Sequence, residues 1–162
     1  MHWYVLYVIS GREEKSCQLL NHVPQFAAFI PKMEYYRRDI KNIAIKPMFP
    51  GYVFIQCTDE QDMFDIRLKK LSLQYKTYFK ELKYRNTSAL TTDEVTYFEH
   101  MLNEHSLLKM SYGEMVNGKV KILDGPLSGL EDNIVKVDKH NGFAYLNLVF
   151  QNRLVKAGLL IK

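Results

Sequence analysis

Apolar and polar positions alternate with period two over residues 3–9, which predicts a first strand with Trp3, Val5 and Tyr7 on one side. Ser10-Gly11-Arg12-Glu13 has capping-box spacing, so a helix is expected next, with Cys17, Leu20 and Val23 on its inner face and Pro24 beyond its end. Residues 27–38 return to a strand pattern, and Ile43-Ala44-Ile45 reads as the hairpin partner. That pairing places Arg37, Arg38 and Lys41 near the hairpin tip.

Met48-Phe49-Pro50-Gly51-Tyr52-Val53-Phe54-Ile55 organises the rest. Pro50 fixes its own φ and disfavours helix at Phe49, while Gly51 frees the next position, so a tight bend leads into a strand over 52–57. Tyr52, Phe54 and Gln56 then share one face, and Val53, Ile55 and Cys57 share the other. Two readings fit an aromatic face opposite a core: a strand buried on both sides, or an exposed platform for a partner.

Thr58-Asp59-Glu60-Gln61 repeats the capping-box spacing ahead of Phe64, Leu68 and Leu71, which recur at helical period. Residues 73–80 alternate as a strand would, with Lys76, Tyr78 and Lys80 on one face. Thr91-Thr92-Asp93-Glu94 opens a third helix carrying Val95, Phe98 and Leu102. One sheet with helices packed on it is expected to end near residue 104. Residues 105–112 lose the pattern and read as a linker. From 113 onward short strands are expected at 120–123, 133–137, 143–150 and 159–161, and Asn141-Gly142 carries the preference of a type I′ hairpin turn. Short strands at this spacing predict a small barrel.

The 162 residues are 47% hydrophobic and 25% charged, a globular composition. No apolar run approaches the roughly 20 residues that span a bilayer, and Met1-His2-Trp3 lacks a basic leader, so a cytoplasmic protein without membrane association is expected. Cys17 and Cys57 are isolated, which points away from zinc or a disulfide framework. The net charge of +4 is unevenly spread: Arg67, Lys69, Lys70, Lys76, Lys80, Lys83 and Arg85 face only Glu81 within their stretch. A solvated face explains such a run; tyrosines among the lysines favour nucleic acid. Lys136, Lys139, His140, Arg153 and Lys156 form a second basic set.

Trp3-Tyr4-Val5, Phe49-Pro50-Gly51-Tyr52-Val53 and Val120-x-Ile122-x-x-Gly125-Pro126-Leu127-x-Gly129 resemble, in order and spacing, the motifs of NusG transcription elongation factors. The resemblance implies an α+β architecture: a NusG-type amino-terminal α/β sandwich over 1–104, a linker over 105–112 and a small KOW β-barrel over 113–162. It implies binding to the RNA polymerase clamp helices through Tyr7, Phe49, Tyr52 and Phe54. The chain departs from a general NusG at Asn133, where glycine is usual, at Phe150-Gln151-Asn152-Arg153, where Phe-Gly-Arg is usual, in a short hairpin arm, and in the seven bases of 67–85. These departures resemble a specialised paralogue, and Leu127-x-Gly129-Leu130-Glu131 with Lys136-Val137-Asp138-Lys139-His140 is most similar to the LoaP antiterminators. That similarity implies recruitment to particular operons through a nascent RNA hairpin.

On that reading Lys69, Lys70, Lys76, Tyr78, Lys80, Lys83 and Arg85, with Lys136, Lys139, His140, Arg153 and Lys156, grip the RNA from two domains; non-template DNA is the competing occupant. Phe150 matches the aromatic that meets a ribosomal protein or termination factor in general NusG, and plain barrel core is the alternative. RfaH-type paralogues hide the clamp site with a helical carboxy-terminal domain; the period-two pattern with Gly125, Pro126 and Gly129 disfavours that state here.

No catalytic constellation, metal site or cofactor motif emerges. The five histidines lie in separate elements, and His100 and His105 are five apart rather than the four that aligns two ligands on a helix. A monomeric regulator is therefore expected rather than an enzyme. The alternatives are a general NusG elongation and pausing factor and a KOW-containing ribosome-associated RNA-binding protein.

Overall fold

The computed structural model describes residues 1–84 and 87–162. They form two compact units that interleave along the chain, 1–31 with 49–95 and 32–48 with 96–162. The first stretch holds β1 (His2–Tyr7), α1 (Glu13–Leu20) and β2 (Phe26–Phe29), and the next holds β3 (Lys32–Arg37) and β4 (Asn42–Pro47). β5 (Tyr52–Cys57), α2 (Gln61–Tyr75), β6 (Lys80–Glu81), β7 (Lys83–Tyr84) and β8 (Thr87–Ser88) return to the first unit. α3 (Thr92–Met101) begins in the first unit and ends in the second. β9 (Leu107–Leu108), β10 (Ser111–Val116), β11 (Lys119–Asp124), β12 (Ile134–Asp138), β13 (Phe143–Phe150) and β14 (Arg153–Ile161) complete the second unit.

The first unit is built on an antiparallel sheet of order β2-β5-β1-β6. β1 and β5 pair along their whole length, from His2 opposite Cys57 to Tyr7 opposite Tyr52. One face supplies Tyr4, Leu6, Val8, Val53, Ile55 and Cys57 to a core closed by Leu20 of α1 and by Phe64, Leu68 and Leu71 of α2. Tyr4 stacks on Phe64 at 3.8 Å between centroids, and its hydroxyl donates to the Asp59 carbonyl at 2.7 Å. Burial pushes that phenol up to about 12.

Several local expectations change. The single strand expected over 27–38 is two strands in different sheets, because Pro31 lacks the N–H that would continue the ladder. α1 starts two residues later than the Ser10 box implies: Arg12 is the N-cap and the Glu13 carboxylate accepts from the Gly11 amide at 2.6 Å. The second box also fails to cap, since α2 begins at Gln61 with no side-chain bond from its N-cap Glu60. The third box forms as expected, Glu94 N–H to Thr91 Oγ1 at 3.2 Å and Thr91 N–H to the Glu94 carboxylate at 3.0 Å.

The strand expected over 73–80 does not exist. α2 runs on to Tyr75, because that ring extends the series of Phe64, Leu68 and Leu71 by one more turn and packs on the same core. Lys76 stops the helix in the left-handed conformation, φ +51°.

In the second unit β3 pairs with β4 from Lys32 opposite Pro47 to Arg37 opposite Asn42, so the hairpin partner and the tip lie where the pattern placed them. β9 adds to β3 in parallel. The five remaining strands form a sheet of order β11-β10-β14-β13-β12. Along β13, Ala144, Leu146, Leu148 and Phe150 are buried and the intervening residues are not, the period-two signature of one inner face. The stretch read as a linker, 105–112, contains β9 and the start of β10, and Leu108 and Ser111 are fully buried.

Turn geometry carries the other correction. Asn141-Gly142 is not a two-residue hairpin turn: only Gly142 has positive φ, and the loop closes through Gly142 N–H to the Asp138 carbonyl at 2.9 Å. The Asp138 carboxylate also accepts from the Asn141 amide and side chain, which holds it below the usual carboxylate range. Two successive positive-φ residues do occur at Gln151-Asn152, between Phe150 and Arg153, which pair directly. The departure from Phe-Gly-Arg is therefore a tight hairpin turn of the primed type, built without glycine.

Candidate functional site

Phe49-Pro50-Gly51-Tyr52 is a β-turn with Pro50 at its second position and Gly51, φ +88°, at its third; the Tyr52 N–H donates to the Phe49 carbonyl at 3.2 Å. The Gly51 carbonyl accepts from Val8 N–H at 2.8 Å, which ties the turn to the end of β1. This fixes Tyr7 opposite Tyr52, with the two rings edge to face at 5.6 Å. Tyr7 is 53% exposed and Tyr52 and Phe49 are half-buried. Burial, and then the neighbouring Tyr7, raises the Tyr52 phenol above its ordinary range.

Phe54, expected among the contact residues, is fully buried. It stacks under Phe49 at 5.7 Å with the rings 5° from parallel, and meets Phe29 at 5.8 Å and Trp3 edge-on at 6.4 Å. It shapes the patch from below and does not line its surface. The face is thus divided: Trp3, Val5 and Phe54 are core, and it opens at Tyr7, Tyr52 and Phe49.

The basic residues of 67–85 are dispersed. Lys69, Tyr78, Lys80 and Lys83 line a groove of about 440 Å³ together with Asp65, Ser72 and Glu81. Lys70 lines a separate one of about 230 Å³ beside Arg67, His22, Gln25 and Gln74. Lys76 is the exposed C-cap of α2, and Tyr78, 83% exposed, lies in the following loop, so Lys76, Tyr78 and Lys80 share no strand face. Arg85 lies outside the described residues. Among the described residues two of these bases are partly neutralised: Arg67 pairs with Asp59, and Lys83 lies 3.6 Å from Asp65.

Sequence reasoning counted Glu81 only as the lone acid among these bases, and missed Asp65 and the partial burial of Glu81 in the larger groove. Glu81 accepts from Gln61 Nε2 at 2.7 Å through one oxygen, and its other oxygen is buried without a partner among the described residues. Burial raises this carboxyl above its ordinary range against the opposing effects of Gln61 and Lys83. The polar, exposed look of 80–83 hid it.

The second basic set also divides. Lys136, Tyr145 and Lys156 lie in one row across β12, β13 and β14. Lys139 and His140 sit in the loop before β13, where one Arg38 guanidinium nitrogen lies 2.5 Å from His140 Nε2 and 2.9 Å from Nδ1. Arg153 stands at the opposite end of β13, about 23 Å from that loop at the ordinary rise per residue. Phe150 is buried on the inner face of β13, which fits the core alternative. Among the described residues no group of three or more His, Cys, Asp or Glu is placed to hold a metal ion, and no helix is long and apolar enough to cross a membrane.

The family model described as transcription termination factor nusG covers residues 1–94 of the 162, the stretch that contains β1, the Pro50–Gly51 turn, β5 and α2. A search of curated proteins finds no match. The chain belongs to the NusG family, whose members are transcription factors that bind RNA polymerase.

Proposed function

We propose that the protein is a specialised NusG-type elongation factor that holds the polymerase clamp helices through Tyr7, Phe49 and Tyr52 and is recruited to particular operons by a nascent RNA hairpin, where it acts as an antiterminator. The observation that carries this is the opening of the aromatic face at the Pro50–Gly51 turn: three rings at the surface, braced from beneath by a fully buried fourth. Rigid aromatic anchors over a packed floor suit a protein partner, because they bring contact area at little cost in side-chain entropy.

The carboxy-terminal stretch supports a KOW assignment. Ile122 and Leu127 of its motif are buried, and Gly125 has φ +111° with no room for a Cβ. Division into a polymerase-binding part over 1–104, a connection over 105–112 and a KOW part over 113–162 remains our proposal, with β9 as an ordered strand in the connection. The RNA arm rests on the exposed lysines of each unit and the exposed Tyr78. The primed turn at Gln151-Asn152, where general factors carry Phe-Gly-Arg, favours a specialised factor over a general one.

Affinity purification of the tagged protein, followed by crosslinked-transcript mapping, tests the reading. RNA polymerase and transcripts from a few operons are expected. Transcripts spread across the genome would indicate a general elongation factor, and recovery of ribosomal subunits without polymerase would indicate the ribosome-associated alternative.

A further inference from the structure

We propose that six residues of the second unit, Tyr35, Lys46, Phe143, Tyr145, Lys136 and Lys156, form a phosphate-tracking surface for single-stranded RNA, the unpaired part of the nascent transcript that carries the hairpin. The proposal deepens the RNA arm of the reading above and rests on it. These side chains form an unbroken ladder of cations and rings. The Lys46 ammonium lies 4.4 Å from the Tyr35 centroid and 5.3 Å from that of Phe143. Lys156 lies 5.3 Å from Phe143 and 5.7 Å from Tyr145, and Lys136 lies 5.5 Å from Tyr145.

The backbone enforces this arrangement. Lys136 and Lys156 flank Tyr145 in register, so their strands stand two sheet spacings apart, about 9.6 Å. Phe143 is the next outward residue along β13, opposite Gly158. A Cβ on Gly158 would lie 2.7 Å from the Glu34 carbonyl oxygen and 2.3 Å from Met110 Sδ. The bare position lets β3 press against β14, and this brings Tyr35 and, across the hairpin, Lys46 beside Phe143.

The chemistry of the ladder is one-sided. Among the described residues none of its three lysines is in an ion pair, and the nearby Asp138 carboxylate is engaged by Asn141. Lys46 is held below its ordinary range by burial and by the charge of Lys156, so the cluster is electrostatically strained in the absence of an anion. A chain of phosphates relieves that repulsion at each step. As each ammonium turns to a phosphate, the ring face it leaves is free to stack a base, which an acidic peptide cannot exploit.

The test uses the full chain with fluorescein-labelled oligo(U) and, for comparison, oligo(dT) of equal length, titrated at several salt concentrations. Combined Lys46→Gln, Lys136→Gln and Lys156→Gln should lower oligo(U) affinity at least tenfold and reduce the slope of log K against log salt by about 2, three cations at roughly 0.7 each. Phe143→Leu with Tyr145→Leu should weaken binding at high salt and leave the slope in place. Thermal unfolding of each variant, and of Lys136→Gln alone, checks that the fold persists.

An unchanged slope in the triple variant would overturn the ladder while the RNA reading stood. Equal affinity for oligo(dT) would overturn the choice of RNA. Loss of polymerase co-purification with oligo(U) binding intact would make the surface a protein-docking site instead. No oligo(U) binding by the unaltered protein would overturn the ladder, and a matching lack of salt-dependent binding to folded RNA hairpins from its crosslinked transcripts would remove the reading beneath it as well.

Discussion

Gly125→Ala is the sharpest probe of how the carboxy-terminal sheet is held. Gly125 has φ +111°, and a Cβ there would lie 2.5 Å from Ser111 Cα, 2.6 Å from Ser111 Oγ and 2.7 Å from the Met110 carbonyl oxygen. Two of those atoms are backbone, so rotating a side chain gives no relief. The unfavourable backbone conformation costs on the order of 1–3 kcal/mol by itself. Displacing β10 also breaks the bond from Leu127 N–H to Ser111 Oγ, 3.0 Å long and buried, which adds about 1–3 kcal/mol because the amide has no water to turn to.

A loss of about 4 kcal/mol is expected, a large share of the 5–15 kcal/mol that ordinarily separates folded from unfolded chains. Native-state hydrogen exchange of the β13 amides under increasing urea measures it directly, since these amides sit mid-sheet. Gly129→Ala is the matched control: φ is +84° there too, but nothing lies within 4 Å of the added carbon, so only about 1–2 kcal/mol should be lost. Equal losses at the two positions would refute the close-approach argument.

Two further outcomes follow from local strain and burial. Gln151 holds φ +53° at the β13–β14 turn, so Gln151→Gly should stabilise the chain by about 1 kcal/mol, read as a higher urea midpoint at unchanged slope. Glu81 has its folded pKa raised above 4.5 by burial, so the folded state binds its proton more tightly than the unfolded state. Its contribution is full below the unfolded pKa and is lost as pH rises through the folded one. Glu81→Gln should therefore raise stability at neutral pH and flatten the decline above pH 4.5, measured by urea denaturation across pH.

Most of the first unit was legible because its signals were redundant. The strand over 52–57 carries β-branched and aromatic residues, a proline–glycine bend before it and a matching alternation at its partner over 3–9, and all of these agree. The error at 73–80 shows the opposite case. Leu73, Tyr75, Thr77 and Phe79 alternate by coincidence, and the deciding fact, that Tyr75 continues the buried series of α2, is tertiary. The same limit applied to Phe54. Alternation placed it correctly on the face with Tyr52, but which part of that face stays covered depends on neighbours distant in sequence such as Trp3 and Phe29. The cation–ring ladder was invisible for a related reason: Lys46 and Phe143 meet only because a glycine at 158 admits a distant strand.

The central claim is that the polymerase is held by the surface rings around the Pro50–Gly51 turn. The most direct measurement is the affinity of the purified full chain for RNA polymerase, by biolayer interferometry, with Tyr7→Ala, Tyr52→Ala and Phe49→Ala compared after each is shown to be folded. A central aromatic anchor truncated to alanine costs about 2 kcal/mol or more, so each should weaken binding by roughly thirtyfold. Folded variants that bind the polymerase as tightly as the unaltered protein would contradict the account.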